Sequence, residues 1–155
     1  MRLFHGSRVA LEFKEYRALN LTSYYPDVVT ALEKGRPIIK PSRSLCLFAA
    51  DSAAWATRFM YGQGVNSSLI YEVEMEVFHR APFGIVHEIN SRLKVEGSID
   101  NLVAEYWDPK ANWSFYEYFG PSFRVISQVQ AADSLNELTV CTLSYGRDTE
   151  LSKSF

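Results

Sequence analysis

Cysteine, histidine and glycine are all scarce in this chain of 155 residues, at two, three and eight copies. The two cysteines, Cys46 and Cys141, each sit inside an apolar run. They are too few for a disulfide framework and read as buried free thiols of a reducing compartment. The histidines, His5, His79 and His87, have no Cys/His partner at metal-ligand spacing, so no metal is expected. The glycines do not gather into a Walker or Rossmann phosphate loop. No apolar run approaches the ~18 residues of a membrane span. No basic segment followed by an apolar stretch opens the chain, so no secretory signal is expected. Positive charge is not in excess either: 16 Lys and Arg stand against 18 Asp and Glu, a net charge of −2. That removes the global basic field that holds a nucleic-acid backbone, though it leaves room for a nucleotide ligand. The expectation is a soluble protein of the cytoplasm, of its producer or of a target host cell, with no membrane contact.

What is present is an ordinary globular composition, with 47% hydrophobic and 22% charged residues. Residues 1–145 are read as one α+β domain and 146–155 as a polar C-terminal tail. Aromatics are rich at 14%, enough for a core and for the walls of a pocket that takes a planar ligand. A first strand is expected over 2–5, then a loop with a helical turn over 7–22. Thr22 or Ser23 is expected to cap a helix that runs to Lys34 and stops at Gly35, with Val28, Val29 and Leu32 inward. Residues 45–49 read as a buried strand. Asp51 or Ser52 caps a second helix, on which Trp55 and Phe59 lie one turn apart, and Gly62 and Gly64 end it. Alternation over 69–78 predicts one strand with Glu72, Glu74 and Glu76 on its solvent face. Helices over 85–94 and 98–107 follow, the second capped by Ser98. Strands are expected over 113–118, 122–130 and 137–143. Helices and strands do not alternate regularly, which favours α+β over a doubly wound sheet.

Three segments carry chemistry. His5-Gly6-Ser7, with Arg8 next, puts an imidazole, a bare backbone and a hydroxyl in consecutive positions. Phe48-Ala49-Ala50-Asp51 leads from a strand into the Trp55/Phe59 helix. Phe115-Tyr116-Glu117-Tyr118 places one acid among rings. In the blander reading of each, Gly6 ends a strand, Ser7 forms a turn, Phe48, Trp55 and Phe59 are core, and Glu117 is a solvent-facing strand residue. Arg8, Arg36, Lys40 and Arg43 are surface charges, or candidates to meet a pyrophosphate.

Taken in order, the three segments resemble the ADP-ribosyltransferase superfamily on its poly(ADP-ribose) polymerase and diphtheria-toxin side. Some phage anti-CRISPR proteins of that fold look similar too. The family pattern is a His-Gly-Ser strand, a Tyr-Phe-Ala-Asp junction, an aromatic two helical turns on, and a late Glu-Tyr strand. The resemblance implies split antiparallel β-sheets with flanking helices around an NAD cleft. It also implies NAD as co-substrate and mono-ADP-ribosyl transfer to a macromolecular acceptor, with nicotinamide released.

In that scheme His5 donates a ring hydrogen to a ribose hydroxyl, Gly6 reads the nicotinamide carboxamide and Ser7 meets the adenosine-side ribose. Phe48 stacks on nicotinamide, with Phe59 or Trp55 opposite, and Arg8 joins the cofactor contacts. Glu117 stabilises the positive charge that develops on the ribose. Phe48 stands where the family has Tyr, and a shift of one residue would put Leu47 there. Trp107 and Trp113 flank the loop that meets the acceptor in the family, or are core. The acidic balance favours a protein acceptor. NAD hydrolysis, and a non-catalytic NAD- or partner-binding module on the same fold, are the competing functions. A toxin, a phage counter-defence factor and a housekeeping modifier all remain as roles.

Overall fold

In a computed structural model of the chain, residues 1–65 and 69–129 are described. They form two antiparallel sheets and four helices, an α+β arrangement. The strand expected over 137–143, the tail 146–155 and Cys141 lie outside the described residues. No helix among the described residues is long and apolar enough to cross a membrane.

The first sheet has the order β1-β4-β7-β2, made of β1 (Leu3–Ser7), β2 (Glu15–Arg17), β4 (Leu69–Glu74) and β7 (Ser122–Val129). The second has the order β3-β6-β5, made of β3 (Leu47–Ala49), β5 (His79–Pro82) and β6 (Tyr116–Gly120). β1 runs further than its apolar start suggests. His5, Gly6 and Ser7 lie inside the strand, paired with Tyr71, Ile70 and Leu69. β2 replaces the expected helical turn. It is a three-residue edge strand held by β7, too short to show a period of its own.

The run expected as one strand over 69–78 divides. Its first part is β4 in the first sheet, and the chain then crosses to enter the second sheet as β5. Alternation is kept up to the break, with Glu74 and Glu76 exposed and Val73 and Met75 buried. β6 starts later than expected and hands directly to β7 around Pro121, so the chain changes sheets again there. A bulge at Glu72/Val73 shifts the β4–β7 register and adds local twist.

Helix α1 (Pro26–Lys34) turns Val28, Val29 and Leu32 inward as its spacing predicts. Neither Thr22 nor Ser23 caps it. Pro26 sits in its first turn, where the missing N–H has no consequence, and Tyr25 enters at φ 50° with no side-chain cap. Helix α2 (Ala53–Gly62) is capped by Ser52, whose hydroxyl oxygen accepts the Trp55 N–H at 3.1 Å. Helix α3 (Phe83–Lys94) follows Pro82. Helix α4 (Asp100–Trp107) begins after Ile99, without a side-chain cap, so Ser98 is not its N-cap. α2 packs on β1 and β4, whereas α1, α3 and α4 pack on one another beside β5.

Gly120 is required where β6 passes to β7. A Cβ there would run into the Val77 carbonyl oxygen, a main-chain atom that cannot rotate away. Gly120→Ala is expected to destabilise the protein by about 1–3 kcal/mol, the range for overpacked sites. Urea unfolding followed by circular dichroism measures it, and an unchanged midpoint would contradict this packing.

Candidate functional site

A cavity of about 470 Å³ opens where the two sheets meet. Its size lies within the usual range for small-molecule sites. Among the described residues the seam between the sheets is one bridge, Phe4 with Ala50, which exchange N–H···O bonds of 2.7 and 2.8 Å. A continued ladder would pair Gly6 with Phe48 next. It stops instead, and the Phe48 carbonyl accepts the Nδ1–H of His5 at 2.6 Å. Strand alternation then fixes what Gly6 does. Leu3, His5 and Ser7 turn their main-chain groups to β4, so Phe4 and Gly6 turn theirs to the seam. The amide and carbonyl of Gly6 therefore face the cavity without a ladder partner.

The missing side chain of Gly6 has a separate cause. A Cβ would collide with Met60 of α2 and approach the Ala56 carbonyl. Glycine lets α2 lie directly on β1, and this brings Phe59 to the cavity wall.

His5 lines the cavity and touches Phe123, with ring centroids 4.7 Å apart. A carbonyl only accepts, so Nδ1 carries the proton and Nε2 is left as an acceptor. In that tautomer Nε2 can accept a hydrogen bond but has no proton to donate. Burial holds its pKa below the ordinary histidine value, and the Phe48 carbonyl pulls the other way.

Ser7 is spent locally. Its Oγ donates to the Val9 carbonyl at 2.7 Å and accepts the Val9 N–H at 3.2 Å, the turn-forming role. Arg8 is exposed at the cavity rim. Phe48, not Leu47, is on the cavity wall, with the Arg43 guanidinium 5.1 Å from its ring centroid. Trp55 shares a helix face with Phe59 but stands outside the cavity lining, against Phe115 at 4.6 Å. Of the two candidate rings on α2, Phe59 is thus the one at the cavity.

Glu117 is 3% exposed, so it is not a solvent-facing strand residue. It sits on the central strand of the second sheet and reaches the cavity floor. Its carboxylate is held from two sides. Arg43 donates Nε–H to Oε1 at 2.9 Å and Nη2–H to Oε2 at 3.2 Å, and the Tyr106 hydroxyl donates to Oε1. Of roughly four lone-pair positions on a carboxylate, three are taken and one on Oε2 remains. The same pairing keeps Arg43 charged: burial lowers its pKa, but Glu117 and then Tyr106 raise it to a net increase. Burial and the neighbouring carboxylate push the Tyr106 phenol far up, so it stays a donor. Cys46, also on the cavity wall, is pushed up to about 12 chiefly by burial and is an inert thiol.

Arg43 therefore belongs to the interior and is neither a surface charge nor a free phosphate ligand. Arg36 is tied to Glu33 at 3.0 Å and to the Lys40 carbonyl at 2.6 Å, and neither Arg36 nor Lys40 lines the cavity. Trp107 and Trp113 are both buried, with their indole N–H groups donating to the Leu32 carbonyl and to Glu105. They are core rather than an acceptor-facing pair. Sequence reasoning missed Tyr106 and the loop wall Asn20–Tyr24. A buried acid demands a cation, and that demand was the available signal for Arg43. No protein-family model, curated protein or solved structure matches the chain.

Two outcomes follow. Glu117→Ala leaves the Arg43 charge buried and unpaired, and is expected to cost about 3–5 kcal/mol. Arg43→Met with Glu117→Leu recovers most of that in urea unfolding, because an apolar pair carries no desolvation cost. The second concerns pH. His5, His79 and His87 are all held below the ordinary value of 6.5, first of all by burial. Unfolding releases them, so the unfolded chain binds more protons than the native one as pH falls through about 6.5. The urea midpoint is expected to drop between about pH 7.5 and pH 5.5, before the carboxylates titrate.

Proposed function

We propose that the cavity binds NAD through its nicotinamide-ribose end. The protein then transfers ADP-ribose to a macromolecular acceptor, a protein, with release of nicotinamide. One observation carries this reading. The unpaired amide and carbonyl of Gly6 share a cavity with Phe48, Phe59, His5 and the Glu117 carboxylate. A primary carboxamide needs an acceptor and a donor side by side, which the Gly6 main chain offers, and its ring needs an apolar wall. The resemblance of the His5-Gly6-Ser7, Phe48–Asp51 and Glu117-Tyr118 segments to ADP-ribosyltransferases supports the same ligand. Two antiparallel sheets with helices are compatible with the architecture that resemblance implies.

NAD supplies a glycosidic bond to a nicotinamidium leaving group. The C1′–N bond breaks with its electron pair going to nicotinamide. C1′ takes a lone pair from the acceptor, which gives up a proton. Gly6 holds the leaving group, with Phe48 and Phe59 against its ring. His5 Nε2 accepts from one ribose hydroxyl, and the open lone pair of Glu117 Oε2 accepts from another. In that position the carboxylate sits beside the positive charge that grows on the ribose. With water as acceptor the same groups perform NAD hydrolysis.

The ion pair favours a second reading, of a module that binds NAD without turning it over. Arg43 cancels most of the field Glu117 would exert on a cation. Nicotinamide release separates the readings. Under the first, Glu117→Gln lowers the rate by about 100-fold or more, with NAD affinity changed far less. No release by the wild-type protein, with or without protein acceptors, would leave the binding module. NAD at 100 times its Kd is expected to stabilise the native state by about 2.7 kcal/mol. No thermal shift at saturating NAD would remove the ligand assignment altogether.

A further inference from the structure

Tyr106 lies on α4, is fully buried and does not line the cavity, so it bears on the site through Glu117. Arg43 alone would leave the two oxygens of that carboxylate equivalent. Nε would hold one and Nη2 the other, and each would keep one acceptor position open. Tyr106 removes the equivalence. With its hydroxyl donating to Oε1, that oxygen holds two donors and Oε2 holds one. The remaining acceptor capacity is confined to a single oxygen by a phenol outside the cavity. The phenol is itself held in place. Its ring stacks on Phe119, with centroids 6.2 Å apart, and meets Trp107 edge-on at 5.1 Å. Its carbonyl accepts the Nε2–H of His79 at 2.9 Å. The residues on either side pin the helix end. Trp107 donates its indole N–H to the Leu32 carbonyl at 3.0 Å, and Glu105 accepts the main-chain N–H groups of Lys110 and Ala111 at 3.1 and 3.0 Å. The last turn of α4 cannot slide without breaking bonds to α1 and to the loop before β6.

We infer that Tyr106 is a positioning residue, whose hydroxyl fixes the Glu117 carboxylate so that Oε2, and not Oε1, serves the reacting ligand. This rests on the reading of Glu117 as the carboxylate beside the ribose of NAD. It goes beyond that reading in assigning the orientation of the carboxylate to a side chain outside the cavity. Burial and the neighbouring carboxylate keep the phenol protonated, so the hold persists through the neutral range.

Nicotinamide release from NAD by the wild type, Tyr106→Phe, Glu117→Gln and the double variant tests it. Calorimetric titration with NAD counts the binding-competent fraction of each protein, so that kcat is referred to folded molecules. Phenylalanine keeps the ring and its packing and removes only the donor. In Tyr106→Phe, kcat is expected to fall about tenfold, the worth of one hydrogen bond to a charged group. The KM for NAD is expected to stay within about twofold, because the ligand contacts are untouched. In the Glu117→Gln background the same substitution is expected to change kcat by no more than about twofold, since the group it orients has already lost its charge. An unchanged kcat in Tyr106→Phe overturns the inference and leaves the NAD reading standing. An equal loss in both backgrounds also overturns it, and makes Tyr106 a packing residue of α4. A higher KM with kcat unchanged does the same, because the phenol then serves binding. Absence of nicotinamide release by the wild type overturns the transfer reading and this inference together.

Discussion

A carboxylate removed from water in the middle of a sheet has to find cations or donors, and the interior of this protein is arranged around that demand. Glu117 is met by Arg43 from the segment before β3 and by Tyr106 from α4. Arg43 is rooted in turn by Glu33 of α1, and by Thr22 from the loop that forms the opposite cavity wall. Four pieces of chain distant in sequence are thus tied to one strand residue. An apolar pair would fill the same volume with no desolvation cost, so the ion pair contributes little net stability. What it contributes is a fixed geometry at the cavity floor, with polar atoms where an apolar pair would leave none.

The sequence disclosed those parts of this arrangement that are local. Asp51 or Ser52 before an apolar helical face read as the cap, of which Ser52 is the one that caps, and the Val28, Val29 and Leu32 spacing gave the buried side of α1. The acidic alternation gave the outward face of β4 but not its end, because the residues that cross between sheets continue the same pattern. β2 escaped because three residues supported from an edge have no periodicity. Ser98 and Thr22 looked like caps because residue type alone was available. The hydroxyl of Thr22 is engaged by the Arg43 carbonyl, which only the folded chain brings near.

The candidate site was legible to a similar depth. His5, Gly6, Phe48 and Glu117 stood out as unusual neighbours in sequence, and the structure gathers them on one cavity. Arg43 is separated from Glu117 by 74 positions and sits between two serines in a basic stretch, so nothing local marks it as interior. The polarity of His5 was also beyond reach. Which ring nitrogen carries the proton depends on the Phe48 carbonyl, a partner 43 residues away.

The single Phe4–Ala50 bridge has a wider consequence. Among the described residues one isolated rung joins β1 to β3, and past it the imidazole of His5 reaches the main chain of β3 where the next rung would fall. The cleft thus opens where a side chain has taken the carbonyl that a further rung would use.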